Sequence, residues 1–166
     1  MVISNITLIG MPFSGKSTCG KLLAEKLGYI FIDLDNYIEE KYNMSLSNIV
    51  LNHGNNDFLK IEEDCMLEMS GCKNIFSTGG SVIYSEKGMN HLKNISKVLF
   101  LDVSINNLML RMNSSMENRG IVFKNGQTFE DLFLEREPLY KKFADIIIKN
   151  DSDNPNDVIT KILQLG

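Results

Sequence analysis

The chain has 166 residues, of which 43% are hydrophobic and 23% charged, and its formal net charge is −4. This length is enough to bury one hydrophobic core, and the composition is ordinary for a globular protein. The acidic balance argues against a general attraction to nucleic acid or to an anionic membrane. No apolar run reaches the roughly 18 residues that cross a bilayer, and the first residues do not form a secretory signal.

The cysteines Cys19, Cys65 and Cys72 are odd in number and lack the paired spacing of a metal site. We interpret them as reduced thiols at apolar positions, with a disulfide or metal site as the alternative. Reduced thiols are typical of the cytoplasm. We therefore expect a cytoplasmic protein that acts as a monomer and has neither a nucleic-acid nor a membrane partner.

Strands and helices alternate along the chain. Strands are predicted over 2–9, 29–34, 74–78, 97–103 and 145–148, and helices over 17–27, about 36–41, 45–69 with a break at 53–56, 85–92, 105–112, 129–143 and 156–165. The polar segment 113–128 contains two glycines and predicts a mobile lid loop. This alternation favours one α/β domain over 1–166, with a five-stranded parallel sheet flanked by helices on both faces.

The segment Gly10–Ser17 fills every fixed position of the phosphate-binding pattern G-x-x-x-x-G-K-[ST], between a predicted strand and a predicted helix. The two glycines let backbone N–H groups turn toward phosphate oxygens, and the helix start adds its positive end. Lys16 is expected to bridge the β- and γ-phosphates of ATP, and the Ser17 hydroxyl to bind Mg²⁺. The candidate nucleotide-binding residues of this P-loop are Gly10, Phe13, Ser14, Gly15, Lys16, Ser17 and Thr18.

Two acids, Asp33 and Asp35, stand at the end of the predicted strand 29–34. Alternate strand residues share a face, so both carboxylates are expected at the sheet edge where ligands bind. One acid would hold the water shell of Mg²⁺, and the other would receive an acceptor hydroxyl. The alternative is a simple turn in which Asp35 caps the next helix.

Two further motifs are Thr78-Gly79-Gly80 and the segment Leu134–Tyr140, which reads LEREPLY. Together with the P-loop and the D-x-D pair, in this order, they make nearly the whole chain resemble the shikimate kinase family. The resemblance implies a P-loop three-layer sandwich with a lid at about 113–128. It also implies transfer of the γ-phosphoryl group of ATP to a hydroxyl of a small molecule, most specifically shikimate, giving shikimate 3-phosphate.

On the acceptor side, the resemblance implies a role for each motif residue. Asp33 would organise Mg²⁺ together with Ser17. Asp35 would bind the acceptor hydroxyls and orient or deprotonate the attacking one. Gly79 and Gly80 would line the acceptor, and Arg136 would hold its carboxylate with two parallel hydrogen bonds.

On the nucleotide side, the resemblance places three more residues. Arg119 would lie on the lid and close over the phosphates when substrate is present, which would exclude water. Arg111 matches a family position near the nucleotide. Pro155 belongs to a loop, 152–155, that matches the adenine side.

The chain departs from the family pattern near the acceptor. Leu59 stands where an arginine is expected as a second carboxylate clamp, and loss of such a contact costs about 2–5 kcal/mol. The neighbouring Lys60 points about 100° away on a helix. Ser81 replaces a glycine and either narrows the acceptor space or adds a hydrogen bond. The residues after Arg119 also differ from the usual proline and leucines.

Other functions stay open at this point. A related P-loop kinase for gluconate-like molecules, nucleosides or nucleotides is one alternative. A nucleotide-binding regulatory module without kinase activity is another, which Leu59 favours and Asp33, Asp35 and Arg136 oppose. A GTPase is disfavoured because the chain has no N-K-x-D guanine signature.

Overall fold

The computed structural model describes residues 5–114 and 121–165, and its described strands form one parallel sheet. The strands are β1 (Asn5–Ile9), β2 (Ile30–Asp33), β3 (Asn74–Ser77), β4 (Lys97–Asp102) and β5 (Ile146–Lys149). They lie in the order β2-β3-β1-β4-β5, with every neighbouring pair parallel. This confirms the predicted α/β class with a five-stranded parallel sheet.

Helices connect the strands and cover both faces of the sheet, as parallel pairing requires. They are α1 (Lys16–Leu27), α2 (Leu34–Tyr42), α3 (Leu46–Glu68), α4 (Glu86–Ile95), α5 (Ile105–Ser114), α6 (Phe129–Phe143) and α7 (Pro155–Leu163), with a short 3₁₀ helix at Val82–Tyr84. No described helix has the length and apolar character needed to cross a membrane.

The central strand β1 is buried along its whole length, between β3 and β4. Successive strand residues point to opposite faces, so Leu8 and Ile9 belong to two separate hydrophobic clusters. The cluster around Ile9 includes Phe58 of α3 and Tyr140 of α6. The sheet therefore fixes α3 and α6 on the same face, and both helices contribute to the site described below.

The turn after β2 differs from the prediction. The strand ends at Asp33, whose carboxylate accepts hydrogen bonds from the backbone N–H groups of Asp35 at 3.1 Å and Asn36 at 3.4 Å. Asp33 is thus the N-cap of α2, and Asp35 lies in the first turn of that helix. We expected Asp35 to project from the strand or, alternatively, to cap the helix, and both expectations are wrong. The Asp33 side chain already accepts from the N–H groups at the helix start, so the helix begins before Asp35.

Helix α3 contains the predicted break. Gly54 has φ 79° and ψ 170°, which are not helical values, so the two halves of α3 run in different directions. The side chain of Ser45 caps the first half by accepting from Asn48. The second half packs on the sheet through Phe58 and Met66.

Two smaller predictions have mixed outcomes. Cys19 and Cys65 are buried free thiols, as expected, but Cys72 is exposed in the turn before β3 and does not fill an apolar position. In the predicted loop 113–128, α5 continues to Ser114, the range 121–128 has no helix or strand, and 115–120 lies outside the described residues.

Candidate active site

A cavity of about 360 Å³ opens where β1, β2 and β3 end. Its walls come from the P-loop, the start of α2, the second half of α3, the glycine segment after β3, the chain before α6, and α6 itself. The described lining residues are Pro12, Phe13, Gly15, Lys16, Ser17, Thr18, Lys21, Asp33, Asp35, Asn36, Glu39, Leu46, Phe58, Glu62, Thr78, Gly79, Gly80, Ser81, Ile121, Val122 and Arg136. This is the carboxyl edge of a parallel sheet, where such folds bind ligands.

The P-loop curls around the amino group of Lys16. Its Nζ donates hydrogen bonds to the carbonyl oxygens of Gly10 at 2.9 Å and Met11 at 2.8 Å. Gly15 caps α1 with φ 89°, a left-handed value that favours glycine. Phe13 also has a positive φ of 67°, which costs a residue with a side chain free energy and is common at functional sites.

Two residues from distant parts of the chain support the P-loop from behind. The side-chain amide of Asn150 donates to the carbonyl of Ser14 at 2.8 Å. Arg111 donates from Nη1 to the carbonyl of Phe13 at 3.4 Å and from Nη2 to the carbonyls of Asn150 and Ser152. Arg111 therefore links the P-loop to the loop after β5.

Ser17 and Asp33 form a pair of oxygen donors beside the P-loop. The Ser17 hydroxyl donates to Asp33 Oδ2 at 2.6 Å and lies 3.3 Å from the Ser77 hydroxyl. The other carboxylate oxygen of Asp33 caps α2, which holds this side chain in place. Hydroxyl and carboxylate oxygens are the ligands that Mg²⁺ prefers, usually with phosphate oxygens and waters completing its shell.

A side chain at Gly79 or Gly80, in the segment after β3, would displace the neighbouring side chains. A β-carbon on Gly79 would lie 2.6 Å from Glu62 Oε1 and 2.8 Å from Asp35 Oδ1, closer than real contacts allow. A β-carbon on Gly80 would lie 2.7 Å from Arg136 Nη1. Thr78 anchors the segment by donating from its hydroxyl to the Leu8 carbonyl at 3.0 Å. Two carboxylates and one guanidinium thus converge on two consecutive glycines.

Helix α6 brings Arg136 and Tyr140 to the same buried face, one turn apart. The Tyr140 hydroxyl donates to the Gly80 carbonyl at 2.5 Å, and burial raises the pKa of Tyr140 well above its usual range. The capping box between Thr128 and Asp131 fixes where the helix begins. The capping box thus fixes the start of α6, and the Tyr140 hydrogen bond joins the last turns of the same helix to the glycine segment.

The guanidinium of Arg136 is buried to 1% exposure but hydrogen-bonded. Nε donates to the Tyr84 hydroxyl at 3.2 Å, Nη2 donates to the Val122 carbonyl at 3.1 Å, and the group lies 5.3 Å from the Tyr84 ring centre. Nη1 is the nitrogen beside Gly80. Tyr84 in turn donates to Glu135 at 2.6 Å, which also accepts from Lys124.

Glu62 is the buried acid of this pocket, at 1% exposure. Its Oε2 accepts a hydrogen bond from the Ser81 hydroxyl at 2.7 Å, whereas its Oε1 has no hydrogen-bond partner in the described part of the chain. Burial raises its pKa to about 8, and the nearby Asp35 raises it as well. The Ser81 hydroxyl therefore uses its donor within the protein, although Ser81 also lines the cavity.

Most of the predicted site residues line one cavity. The P-loop members Phe13, Gly15, Lys16, Ser17 and Thr18 do so, as do Asp33, Asp35, Gly79, Gly80 and Arg136. Gly10, Ser14, Arg111 and Pro155 are described but do not line it; the first three support the P-loop, and Pro155 begins α7. Arg119 lies outside the described residues.

Glu62 stands at the glutamate of the family pattern Phe-Arg-x-x-Glu, but no role was predicted for it. Its signal was its position: Glu62 lies four residues after Phe58 and four before Met66, so a charged residue interrupts the apolar face of a helix. Leu59 is half-buried and is not among the described lining residues, while Lys60 is exposed and pairs with Glu63 and Asp64. In the described residues, Arg136 is therefore the single guanidinium at the acceptor end.

Comparisons with known proteins agree with this geometry. The model of a family described as "SKI: Shikimate kinase" matches residues 12–165. A curated shikimate kinase of Staphylococcus aureus (strain Newman) is 36% identical over 141 residues, covering 85% of this chain and 81% of the relative. A crystal structure of shikimate kinase from Bacteroides thetaiotaomicron is 26% identical in sequence, with a TM-score of 0.85. The match covers 99% of this chain and 98% of the Bacteroides chain. A structure of shikimate kinase from Acinetobacter baumannii in complex with shikimate is 31% identical with a TM-score of 0.89, covering 99% and 93%.

Proposed function

The chain belongs to the shikimate kinase family, and we infer that it phosphorylates a hydroxyl of shikimate with the γ-phosphoryl group of ATP, giving shikimate 3-phosphate. The observation that carries this proposal is that a single cavity is lined both by the P-loop and by Asp35 and Arg136. A donor site and a site for a hydroxylated anion thus share one space. Phosphoryl transfer depends mainly on such positioning and on charge neutralisation.

The donor end of the cavity suits the phosphates of ATP. Backbone N–H groups at the start of α1 and the Lys16 ammonium supply positive charge there. When ATP arrives, Lys16 exchanges its hydrogen bonds with the Gly10 and Met11 carbonyls for phosphate oxygens. Arg111 and the loop that precedes Pro155 support this end through the bonds of Arg111 to Asn150 and Ser152. Arg119, whose lid role rests on the sequence resemblance, would close it.

The pair of Ser17 and Asp33 fits Mg²⁺, because both offer oxygen atoms at the mouth of the P-loop. Mg²⁺ usually takes one or two protein oxygens and completes its shell with phosphate oxygens and waters, so two donors are enough. We propose that Ser17 ligates the ion directly and that Asp33 holds its waters. Bound there, the ion would neutralise charge on the transferred group.

We propose that Asp35 receives the proton of the attacking hydroxyl. Its Oδ1 lies 2.8 Å from the position of a β-carbon on Gly79, and both residues line the cavity. In the proposed step, the hydroxyl oxygen attacks the γ-phosphorus, the bond to the β-phosphate oxygen breaks, and Asp35 accepts the hydroxyl proton. ADP and the phosphate ester are the products.

The acceptor end suits a ring that carries a carboxylate. Arg136 Nη1 faces the glycine segment, and an arginine fork is well matched to a carboxylate. The apolar lining residues Leu46, Phe58, Ile121 and Val122 can pack against ring carbons. Backbone N–H groups of Gly79 and Gly80 would supply further donors.

We place the enzyme in the cytoplasm as a monomer that needs neither nucleic acid nor a membrane. Three free cysteines, one of them exposed, suit a reducing compartment. Light scattering coupled to gel filtration tests the oligomeric state.

A second candidate acceptor is another small hydroxy acid, such as a gluconate-like molecule. The observation that favours it is Leu59, since one guanidinium rather than two is found at the acceptor end of the described cavity. The net charge of −4 and the few cations at this end disfavour nucleotide acceptors, which carry a phosphate.

The test is ADP release from Mg²⁺-ATP by the purified protein, with and without millimolar shikimate, followed by mass spectrometry of the product. The proposal is supported if ADP release depends on shikimate and the product is about 80 mass units heavier than shikimate. This difference is the mass that one phosphoryl group adds to a hydroxyl. ATP binding without stimulation by shikimate would reject the proposal, and a panel of sugar acids and nucleosides would then identify the acceptor.

A further inference from the structure

The acceptor end contains a carboxyl group that the proposed reaction does not use. Glu62 lies on the buried face of α3, and its Oε1 has no hydrogen-bond partner among the described residues. This oxygen lies 2.6 Å from the position of a β-carbon on Gly79, and Glu62 lines the cavity. A buried polar atom without a partner is costly, so its persistence at a cavity wall points to a ligand.

The protonation state of Glu62 follows from its surroundings. Burial and the charge of Asp35 raise its pKa to about 8, although the Ser81 hydrogen bond, Arg136 and Lys16 each lower it. Two other titratable groups lie near it and are neutral at pH 7: Tyr140, whose pKa is raised, and Cys65, whose pKa is also raised. Glu62 is therefore mainly protonated at neutral pH.

The hydrogen bond from Ser81 decides where the proton sits. In the arrangement in which the Ser81 hydroxyl donates to Oε2 at 2.7 Å, that oxygen is an acceptor, and the acid proton is carried by Oε1, the oxygen without a partner among the described residues. Oε1 is the atom beside Gly79, while Arg136 Nη1 is the atom beside Gly80. The Glu62 carboxyl and the Arg136 guanidinium thus offer two hydrogen-bond donors beside two consecutive glycines of the cavity wall.

We propose that Glu62 binds the acceptor as a neutral carboxylic acid, donating a hydrogen bond from Oε1 to the acceptor carboxylate that Arg136 also holds. This rests on the proposed function, which places that carboxylate at Arg136. A neutral donor fits a pocket in which Leu59 supplies no second guanidinium, because an ionised Glu62 would repel the substrate instead. Glu62 and Ser81 are then specificity-determining residues.

The inference predicts a specific pH dependence. Loss of the Glu62 proton both removes the donor and places a negative charge beside an anionic acceptor. The KM for shikimate should be level below pH 8 and rise above it, approaching tenfold per pH unit because one proton is linked to binding. Between pH 7 and pH 9.5 the expected rise is about 10- to 30-fold.

The experiment measures the KM for shikimate from pH 6 to 9.5, at saturating Mg²⁺-ATP, for the wild type and Glu62→Gln. Glutamine keeps the shape and donates an N–H at every pH, so its KM should lack the rise. Ser81→Ala removes a hydrogen bond that lowers the pKa of Glu62, so its rise should begin at higher pH. The matched control is Glu63→Gln, the next residue, whose side chain bonds to Ser85; it should keep the wild-type rise.

A second measurement does not depend on a variant that folds. The methyl ester of shikimate carries no charge and escapes the repulsion by an ionised Glu62, so above pH 8 its KM with the wild-type enzyme should rise less than the KM for shikimate. A level KM for shikimate in the wild type, or the same rise in Glu62→Gln as in the wild type, overturns the inference while leaving the proposed function intact. Absence of shikimate-dependent ADP release at every pH overturns both.

Discussion

Asn150, just after β5, donates a 2.8 Å hydrogen bond to the carbonyl of Ser14, which precedes it by 136 residues. Asn150 is buried, and its own backbone N–H bonds to the Asp102 carbonyl at 2.8 Å. A β-carbon on Gly15 would lie 3.2 Å from the Asn150 amide nitrogen. The edge of the sheet thus braces the turn of the P-loop from below.

Replacing Asn150 by alanine should weaken ATP binding and stability together. The Ser14 carbonyl would lose its buried partner, at a cost of about 1–3 kcal/mol in unfolding free energy, and the loop would lose its rigid shape. We expect the KM for ATP to rise about 10-fold, a rise of the size that 1.4 kcal/mol produces, with little change in the KM for the acceptor. Chemical denaturation and steady-state kinetics measure both effects, with exposed Asn90→Ala as the control; equal effects in the two variants would contradict the bracing role.

Replacing Asp33 by asparagine separates metal binding from helix capping. Asparagine caps a helix about as well as aspartate, so the start of α2 should survive. The neutral amide holds Mg²⁺ waters poorly, and the concentration of Mg²⁺ giving half-maximal activity should increase about 10–100-fold. Titration of activity with Mg²⁺ at fixed ATP tests this, with exposed Asp64→Asn as the control. An unchanged Mg²⁺ curve would remove Asp33 from the metal site.

Replacing Gly79 by alanine should damage the acceptor end and spare the nucleotide end. The new methyl group would lie within 2.8 Å of Asp35 and Glu62 oxygens, so at least one carboxyl group must move. We expect the acceptor KM to rise and kcat to fall, together by about 100-fold in kcat/KM, since small misplacements of reacting groups are that costly. Calorimetry of ATP binding should show little change; equal losses for ATP and acceptor would indicate general unfolding instead.

Replacing Arg136 by methionine should abolish recognition of the acceptor carboxylate. The loss is expected at about 2–5 kcal/mol in kcat/KM for shikimate, with the KM for ATP nearly unchanged. Arg136→Lys should recover little, because a compact ammonium has a single nitrogen and cannot reproduce the planar fork whose separate nitrogens reach Tyr84, Val122 and the ligand. The methyl ester of shikimate should lose less than shikimate in both variants. Similar losses for ester and acid would show that Arg136 acts on the fold and not on the carboxylate.

Stability should fall as pH rises from about 5 to 8. In this window the folded protein keeps the Glu62 proton, whose pKa is raised to about 8, while an unfolded chain has already released it. The unfolded state therefore binds fewer protons, and raising the pH costs stability, by on the order of a few kcal/mol. Urea denaturation at pH 5, 6.5 and 8 should show a smaller fall for Glu62→Gln. The pKa of Glu63 is lowered instead, so Glu63→Gln should fall like the wild type.

The parts of the structure that were predictable from sequence have local causes. Short apolar runs alternate with segments of helical periodicity, and this alternation is sufficient to predict five parallel strands. The glycine at position 54 marks the break in α3. The P-loop is equally local, because its glycines and Lys16 act within eight residues.

Two other features could not be predicted from local sequence: which of two aspartates caps α2, and which residues pack together across the cavity. Asp33 and Asp35 both cap helices well, and only the structure shows that Asp33 takes the cap and moves Asp35 into α2. The bond between Ser81 and Glu62 joins residues 19 positions apart, through a contact of α3 with the glycine segment. No periodicity encodes such a pair. The role proposed for Arg119 stays a prediction, since that residue lies outside the described part of the chain.

The cavity is assembled from segments that meet only in space. The P-loop follows β1, whereas the acceptor wall is made by α3, the glycine segment and α6, which are held to each other by bonds such as that of Tyr140 to the Gly80 carbonyl. A substitution such as Ser81, whose hydroxyl bonds to α3, can therefore change the acceptor wall while the P-loop sequence stays complete. The acceptor specificity of the enzyme can therefore change while its use of ATP is kept. This separation makes the acceptor wall the natural target for redesign.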